Sequence, residues 1–144
     1  DPRADTGCCV STILVDSTVI LDVLTEDPTW CAWSAERLEQ LAESHLLAVN
    51  PIIYAEVSIG FDRIEDLEVA VPEEFFARLP LPWEAAFAAG KCFVEYRRRH
   101  GARRSPLPDF YIGAHAAVAR LPLLTRDAAR YRTYFPGLVV IAPE

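Results

Sequence analysis

Ile13-Leu14-Val15-Asp16-Ser17-Thr18 is the stretch on which the reading of the fold turns: a short, β-branched apolar run that ends abruptly in a carboxylate and two hydroxyls. The run leaves no room for alternation, as expected of a strand covered on both faces in a parallel sheet. Ligands of open α/β sheets bind at the carboxyl ends of such strands, where Asp16 falls. Ser17 or Thr18 can cap a helix beginning at Val19-Ile20-Leu21, and Asp16 taken alone is equally well an ordinary helix N-cap.

Other apolar runs have the same form. Leu46-Leu47-Ala48-Val49 is closed by Asn50-Pro51, and Leu121-Pro122-Leu123-Leu124-Thr125 is followed directly by Arg126-Asp127. Asp127 thus repeats the placing of Asp16. After a Pro136-Gly137 turn, Leu138-Val139-Val140-Ile141 reads as a last strand. Helical spacing is expected over 19–24, 30–43, 52–61, 64–71, 73–79, 83–99 and 108 to about 121, with a short helix through Tyr131 and Phe135. Strands alternating with helices predict an α/β fold with a parallel sheet.

Helix 30–43 carries its apolar stripe on Trp30, Trp33, Leu38, Leu41 and Ala42, and two tryptophans there suit either the core or a partner surface. In 52–61 the wheel places Glu56 on the stripe of Ile52, Ile53, Ile59 and Gly60. A carboxylate facing inward is costly unless it is paired, metal-bound or functional. The acids Asp62, Glu65, Asp66, Glu68, Glu73 and Glu74 read as a solvated face. In 83–99 the polar face is Glu84, Lys91 and Glu95, with Phe87, Phe93, Val94 and Tyr96 opposite and Gly101 stopping the helix. The helix opened by Pro108 is apolar nearly all round and should be buried. Asp109 falls in its first turn, where the helix dipole favours the ionised form whether or not the acid has a further role.

A chain of 144 residues is expected to form one domain. No apolar run reaches the length of a membrane span, and a soluble, cytoplasmic protein is expected. Residues 1–12 show no apolar period and are expected to be a flexible leader or a vector-derived segment, leaving 13–144 as the domain. The cysteines Cys8, Cys9, Cys31 and Cys92 have no C-x-x-C spacing and are expected to be reduced. A net charge of −7 argues against wrapping nucleic acid by general electrostatics, but not against handling phosphodiesters through bound metal. The one candidate phosphate-facing patch is Arg97, Arg98, Arg99, Arg103 and Arg104.

Four acids stand apart from the solvated ones: Asp16 and Asp127 at strand ends, Glu56 on an inward face, and Asp109 at the start of a buried helix. Right-handed crossovers set parallel strand ends side by side, so the four are able to converge. Gathered carboxylates stay ionised together only where cations neutralise them, and all-oxygen ligands suit Mg²⁺ or Mn²⁺. Two such ions ~4 Å apart support phosphodiester hydrolysis. Ser17 and Thr125 can hydrogen-bond a carboxylate, or simply cap their helices. Asp22, inside a short helix, reads as peripheral or partner-contacting; His115 reads as a core histidine, and His45 and His100 as surface-borne.

Val15-Asp16-Ser17-Thr18-Val19-Ile20-Leu21-Asp22, Tyr54-Ala55-Glu56-Val57, Pro108-Asp109-Phe110-Tyr111-Ile112-Gly113-Ala114 and Leu124-Thr125-Arg126-Asp127, in this order and spacing, resemble a PIN-domain ribonuclease. The likeness is strongest to the VapC toxins of type II toxin–antitoxin modules, and it runs from Ile13 to Ala142. It implies a three-layer α/β/α fold and Mg²⁺- or Mn²⁺-dependent endoribonuclease activity on structured RNA such as tRNA or rRNA. The family's catalytic, metal-holding acids would fall on Asp16, Glu56, Asp109 and Asp127, and its hydroxyl positions on Ser17 and Thr125. It further implies a homodimer, and a cognate antitoxin docked on the early helices, which would give Trp30 and Trp33 a partner role. The competing reading is a non-catalytic PIN-like module that binds RNA or protein. An acid-pocket phosphoryl-transfer protein of the response-regulator or haloacid-dehalogenase kind fits poorly, because Asp16 has no second Asp two residues on and Lys91 is mid-helix.

Overall fold

A computed structural model of the chain describes residues 11–99, 101–102 and 107–144. Its strands are β1 (Thr12–Val15), β2 (Leu46–Val49), β3 (Ala77–Arg78), β4 (Leu123–Leu124) and β5 (Val140–Ile141). They form one sheet in the order β3-β2-β1-β4-β5, every pairing parallel. The helices are α1 (Ser17–Leu24), α2 (Cys31–Ala42), α3 (Pro51–Ser58), α4 (Ile64–Ala70), α5 (Trp83–Arg98), α6 (Pro108–Ala119) and α7 (Ala129–Tyr134). Successive strand residues face opposite sides of a sheet, yet Ile13, Leu14 and Val15 are all buried. Both faces of β1 are therefore covered by helices, as its unbroken apolar run predicts.

The register brings the strand ends level. Leu14 pairs with Ala48, and Val15 with Leu124. Beyond the strands, the Asp16 amide donates to Leu124 O at 2.8 Å and the Thr125 amide to Ile141 O at 3.0 Å. Asp16, Asn50 and Thr125 consequently stand at one edge of the sheet, each just past its strand. Asn50 caps α3 by accepting from the Ile53 amide at 2.9 Å, and its side-chain Nδ2 donates to Nδ1 of His115 at 2.9 Å. His115 is buried, neutral by desolvation and satisfied, so it is the core histidine the sequence suggests.

Several expectations are corrected. Residues 73–79 do not form a helix: a turn leads into β3, whose two residues pair with Ala48 and Val49. So short an edge strand leaves no periodic signal. The core face of α3 is Ile53 and Val57, while Ile59 is 85% exposed, because the helix ends at Ser58 and Ile59 lies beyond it. Helix α5 buries Ala85 and Ala89 and leaves Phe87 69% exposed, with the Lys91 ammonium over its ring. Helices α5 and α6 meet in a cluster built on Ala85, Ala89, Phe110 and Ala114, against which Phe93 and Tyr96 of the predicted apolar face also pack, so the fully buried α5 positions are small ones. Ala42 is exposed, and the buried residues of α2 are Ser34 and Leu38.

Glu68 stays on the solvated face, its side chain 42% exposed, but is paired there: it accepts from Tyr54 and from Arg78 at 3.0 Å. Asp22 is not peripheral: it is 3% exposed, and Arg126 reaches both of its oxygens at 3.0 and 3.1 Å while the Ser34 hydroxyl donates at 2.8 Å. Cys31 and Cys92 are free thiols. No helix among the described residues is long and apolar enough to cross a membrane.

Candidate metal centre

Asp16 is 2% exposed and does two things at once. Its Oδ1 accepts from the Ser17 amide at 2.8 Å and so caps α1, while Oδ2 faces the sheet edge. There Oδ2 meets three hydroxyls: Thr125 at 2.7 Å, Tyr131 at 3.2 Å and Thr18 at 3.4 Å. The cap and the site are not alternatives, because a carboxylate has lone pairs enough for both. Burial, followed by the charges of Asp109 and Glu56, pushes the Asp16 carboxyl up to about 6 against the pull of the Thr125 hydrogen bond.

Glu56 lies one turn into α3 on the half-buried flank and accepts from the Ser17 hydroxyl at 2.7 Å. Burial raises its pKa, as does the Asp109 charge. Asp109 sits in the first turn of α6. Its Oδ1 lies 3.4 Å from the Tyr131 hydroxyl, and its Oδ2 accepts from Arg130 at 3.4 Å. Burial pushes its carboxyl up, the Arg130 guanidinium pulls it down, and the Asp127 charge pushes again. Asp127 is exposed; its amide donates to Thr125 Oγ1 at 3.1 Å, and its side chain shares an open cavity of about 340 Å³ with Asp109, Arg130, Thr133 and Tyr134.

The four acids thus form an electrostatic row, Glu56 and Asp109 each felt by Asp16, and Asp127 felt by Asp109. Ser17 and Thr125 both hydrogen-bond carboxylates of that row. Sequence reasoning missed Tyr131, which is 1% exposed on α7 and whose hydroxyl touches both Asp16 and Asp109. Burial and those two charges hold the phenol far above its ordinary range, so it is a proton donor to them. A single aromatic in a six-residue helix carries no signal that distinguishes this role from core filling.

Among the described residues, no three Asp, Glu, His or Cys side chains close into a cage. Mg²⁺ commonly takes only one or two carboxylates and completes its octahedron with water and substrate phosphate, so neighbouring all-oxygen acids such as Asp16 and Asp109 fit such an ion by donor chemistry.

The other candidates lie around this row. Arg98 and Arg99 both pair with Glu95, at 3.8 and 3.0 Å, and Arg99 also stacks on Tyr134, which lines the Asp127 cavity. Arg97 lies over the Phe93 ring. Arg103, Arg104 and His100 lie outside the described residues. Trp30 and Trp33 meet edge to face with centroids 6.4 Å apart, Trp33 against the core and Trp30 under the Arg126 guanidinium.

Among curated proteins no relative matches the sequence. In fold the chain is similar to VapBC2 of Rickettsia felis, solved bound to a DNA fragment from its promoter, with a TM-score of 0.71 at 16% identity over 92% of this chain and 99% of that one. It is also similar to VapBC-1 of nontypeable Haemophilus influenzae, with a TM-score of 0.67 at 20% identity over 91% and 97%. A toxin–antitoxin complex from Klebsiella pneumoniae gives 0.65 at 22% identity over 92% and 98%. At these identities the likeness is one of fold. The family model described as PIN domain matches residues 13–136, nearly the whole of the described fold, and the chain belongs to the PIN domain family.

Proposed function

We propose that this protein is a metal-dependent endoribonuclease that hydrolyses phosphodiester bonds of structured RNA, tRNA or rRNA, as the toxin of a type II toxin–antitoxin module. The observation that carries the reading is the set of Glu56, Asp16, Asp109 and Asp127 at the carboxyl edge of the sheet, where burial and neighbouring charge disfavour the ionised forms of Asp16, Glu56 and Asp109. Such a set is poorly suited to structure alone, and it is the arrangement that a divalent cation neutralises.

Asp16, Asp109, Asp127 and Glu56 are the residues that would hold Mg²⁺ or Mn²⁺. When bound there, the cation supplies Lewis-acid stabilisation of charge on the scissile phosphate and lowers the pKa of an attacking water. Thr125 fixes the Asp16 carboxylate through Oδ2, and Ser17 fixes Glu56 through Oε1, so both acids are presented in a set orientation. Arg130 lines the Asp127 cavity and Arg99 lies over the ring of Tyr134, which also lines it, and both would meet RNA phosphate; Arg97, Arg98, Arg103 and Arg104 are assigned the same role from the sequence. Trp30, just before α2, and Trp33, within it, are half-buried and are the surface we assign to a cognate antitoxin. The protein is taken to act in the cytoplasm as a homodimer.

The competing module that binds without cutting would retain the fold but has no need of four coupled acids. Incubating the purified chain, free of any partner, with total RNA in Mg²⁺, Mn²⁺ or EDTA separates the two. Discrete fragments that require metal, sequenced at their ends, identify substrate and bond. Intact RNA in every lane from folded protein rejects the nuclease.

A further inference from the structure

Tyr131 is 1% exposed and belongs to the main hydrophobic core cluster. A hydroxyl taken out of water costs free energy unless it is hydrogen-bonded, and phenylalanine would fill the same space without that cost. The partners of the Tyr131 hydroxyl are the Asp16 Oδ2 at 3.2 Å and the Asp109 Oδ1 at 3.4 Å. These two acids come from different parts of the chain, one after β1 and one in α6, and the hydroxyl spans them.

The two carboxylates are held unequally. Asp16 is buried and takes further bonds from Ser17 and Thr125. The Asp109 side chain is 35% exposed, and its other oxygen is drawn outward by Arg130, itself 43% exposed, at 3.4 Å. The phenol ring cannot follow either acid, because the core fixes it. Its hydroxyl is therefore the fixed point that keeps Asp109 turned towards Asp16 against the pull of Arg130.

We propose that Tyr131 is a positioning residue whose hydroxyl holds the Asp16 and Asp109 carboxylates together as one divalent-cation site. The inference rests on the nuclease reading above and adds to it a residue outside the acidic row. Without the hydroxyl, Arg130 becomes the anchor of Asp109 and the pair opens. Groups that orient metal ligands in this way typically change affinity by ~10–100-fold when removed.

The test is calorimetric titration of the full chain with MnCl₂, wild type beside Tyr131→Phe, with a urea unfolding curve for each. Phenylalanine keeps every ring contact, so both proteins are expected to unfold at similar urea concentrations. The expected result is that wild type binds Mn²⁺ and Tyr131→Phe binds it about tenfold or more weakly. A smaller loss, or tighter binding, in a folded Tyr131→Phe overturns the role of the hydroxyl and leaves the nuclease reading standing. Absence of Mn²⁺ binding by wild type, repeated with MgCl₂, overturns the nuclease reading and this inference with it.

Discussion

Asp16→Asn is expected to make the metal-free protein more stable at neutral pH while abolishing its activity. The folded state raises the Asp16 carboxyl from its ordinary 3.8 to about 6, first by burial. At ~1.4 kcal/mol per pH unit, keeping it ionised in the native state costs about 3 kcal/mol. The sign follows from linkage: between those two values the native state binds the proton and the unfolded chain does not, so stability falls as pH rises through that window. The contribution is fully present below pH 3.8 and lost above about 6. Asparagine removes the titration. Its carbonyl can still accept from the Ser17 amide, and its NH₂ can donate to the Thr125 and Tyr131 hydroxyls once these turn to accept. Allowing for imperfect repair of those bonds, the net gain is about 1–3 kcal/mol at pH 7.5. Urea unfolding of both proteins in EDTA at pH 7.5 and pH 4.5 measures it. An Asp16→Asn protein less stable than wild type at pH 7.5, or a gain that persists undiminished at pH 4.5, would refute the argument.

Arg126→Ala removes the one cation among the described residues that reaches both oxygens of the buried Asp22, leaving it the Ser34 hydroxyl, and should cost about 2–4 kcal/mol in chemical denaturation. Arg126 is only partly buried, and a loss under about 0.5 kcal/mol would show that Asp22 finds water instead. A Cβ on Gly113 would lie 2.4 Å from the Phe135 ring, so Gly113→Ala should lower stability by about 1–3 kcal/mol, and Phe135→Leu in the same chain should recover part of it. Arg120 ends α6 at φ 58°, in the left-handed region that disfavours side chains, and Arg120→Gly should raise the unfolding free energy by up to about 1 kcal/mol. A lower melting temperature for that variant would mean that the Arg120 side chain stabilises more than its backbone costs.

The strands that carry the site were legible because a parallel strand covered on both faces leaves an unbroken apolar run, and in β1 and β4 the acid or hydroxyl that follows stands out against it. Asp109 was legible for a different reason, as a charge opening a helix with no polar face. The half-buried position of Glu56 was read on partly mistaken grounds: the wheel that placed it inward also counted Ile59, which lies past the end of α3. The packing face of α5 was only half readable from bulk: Phe93 and Tyr96 do join the interface, but its fully buried positions, Ala85 and Ala89, look like the weaker side of the helix. Asp22 looked peripheral because the arginine that pairs with it, Arg126, is 104 residues away and arrives only when the sheet forms. Tyr131 belongs to the same class: its partners are set by how α7 closes on the sheet edge, not by any spacing within its own segment.

The central claim is that the acids at the sheet edge form a divalent-cation site that cuts RNA. Its most direct test is the cleavage rate of one defined RNA as Mn²⁺ is raised from EDTA-chelated to millimolar, for wild type and for Asp16→Asn, Glu56→Gln, Asp109→Asn and Asp127→Asn, each shown to be folded. The account predicts cleavage that requires the metal in wild type and collapses in Asp16→Asn and Asp109→Asn at every concentration. Cleavage that survives EDTA, or that proceeds at the wild-type rate in both of those variants, would contradict it.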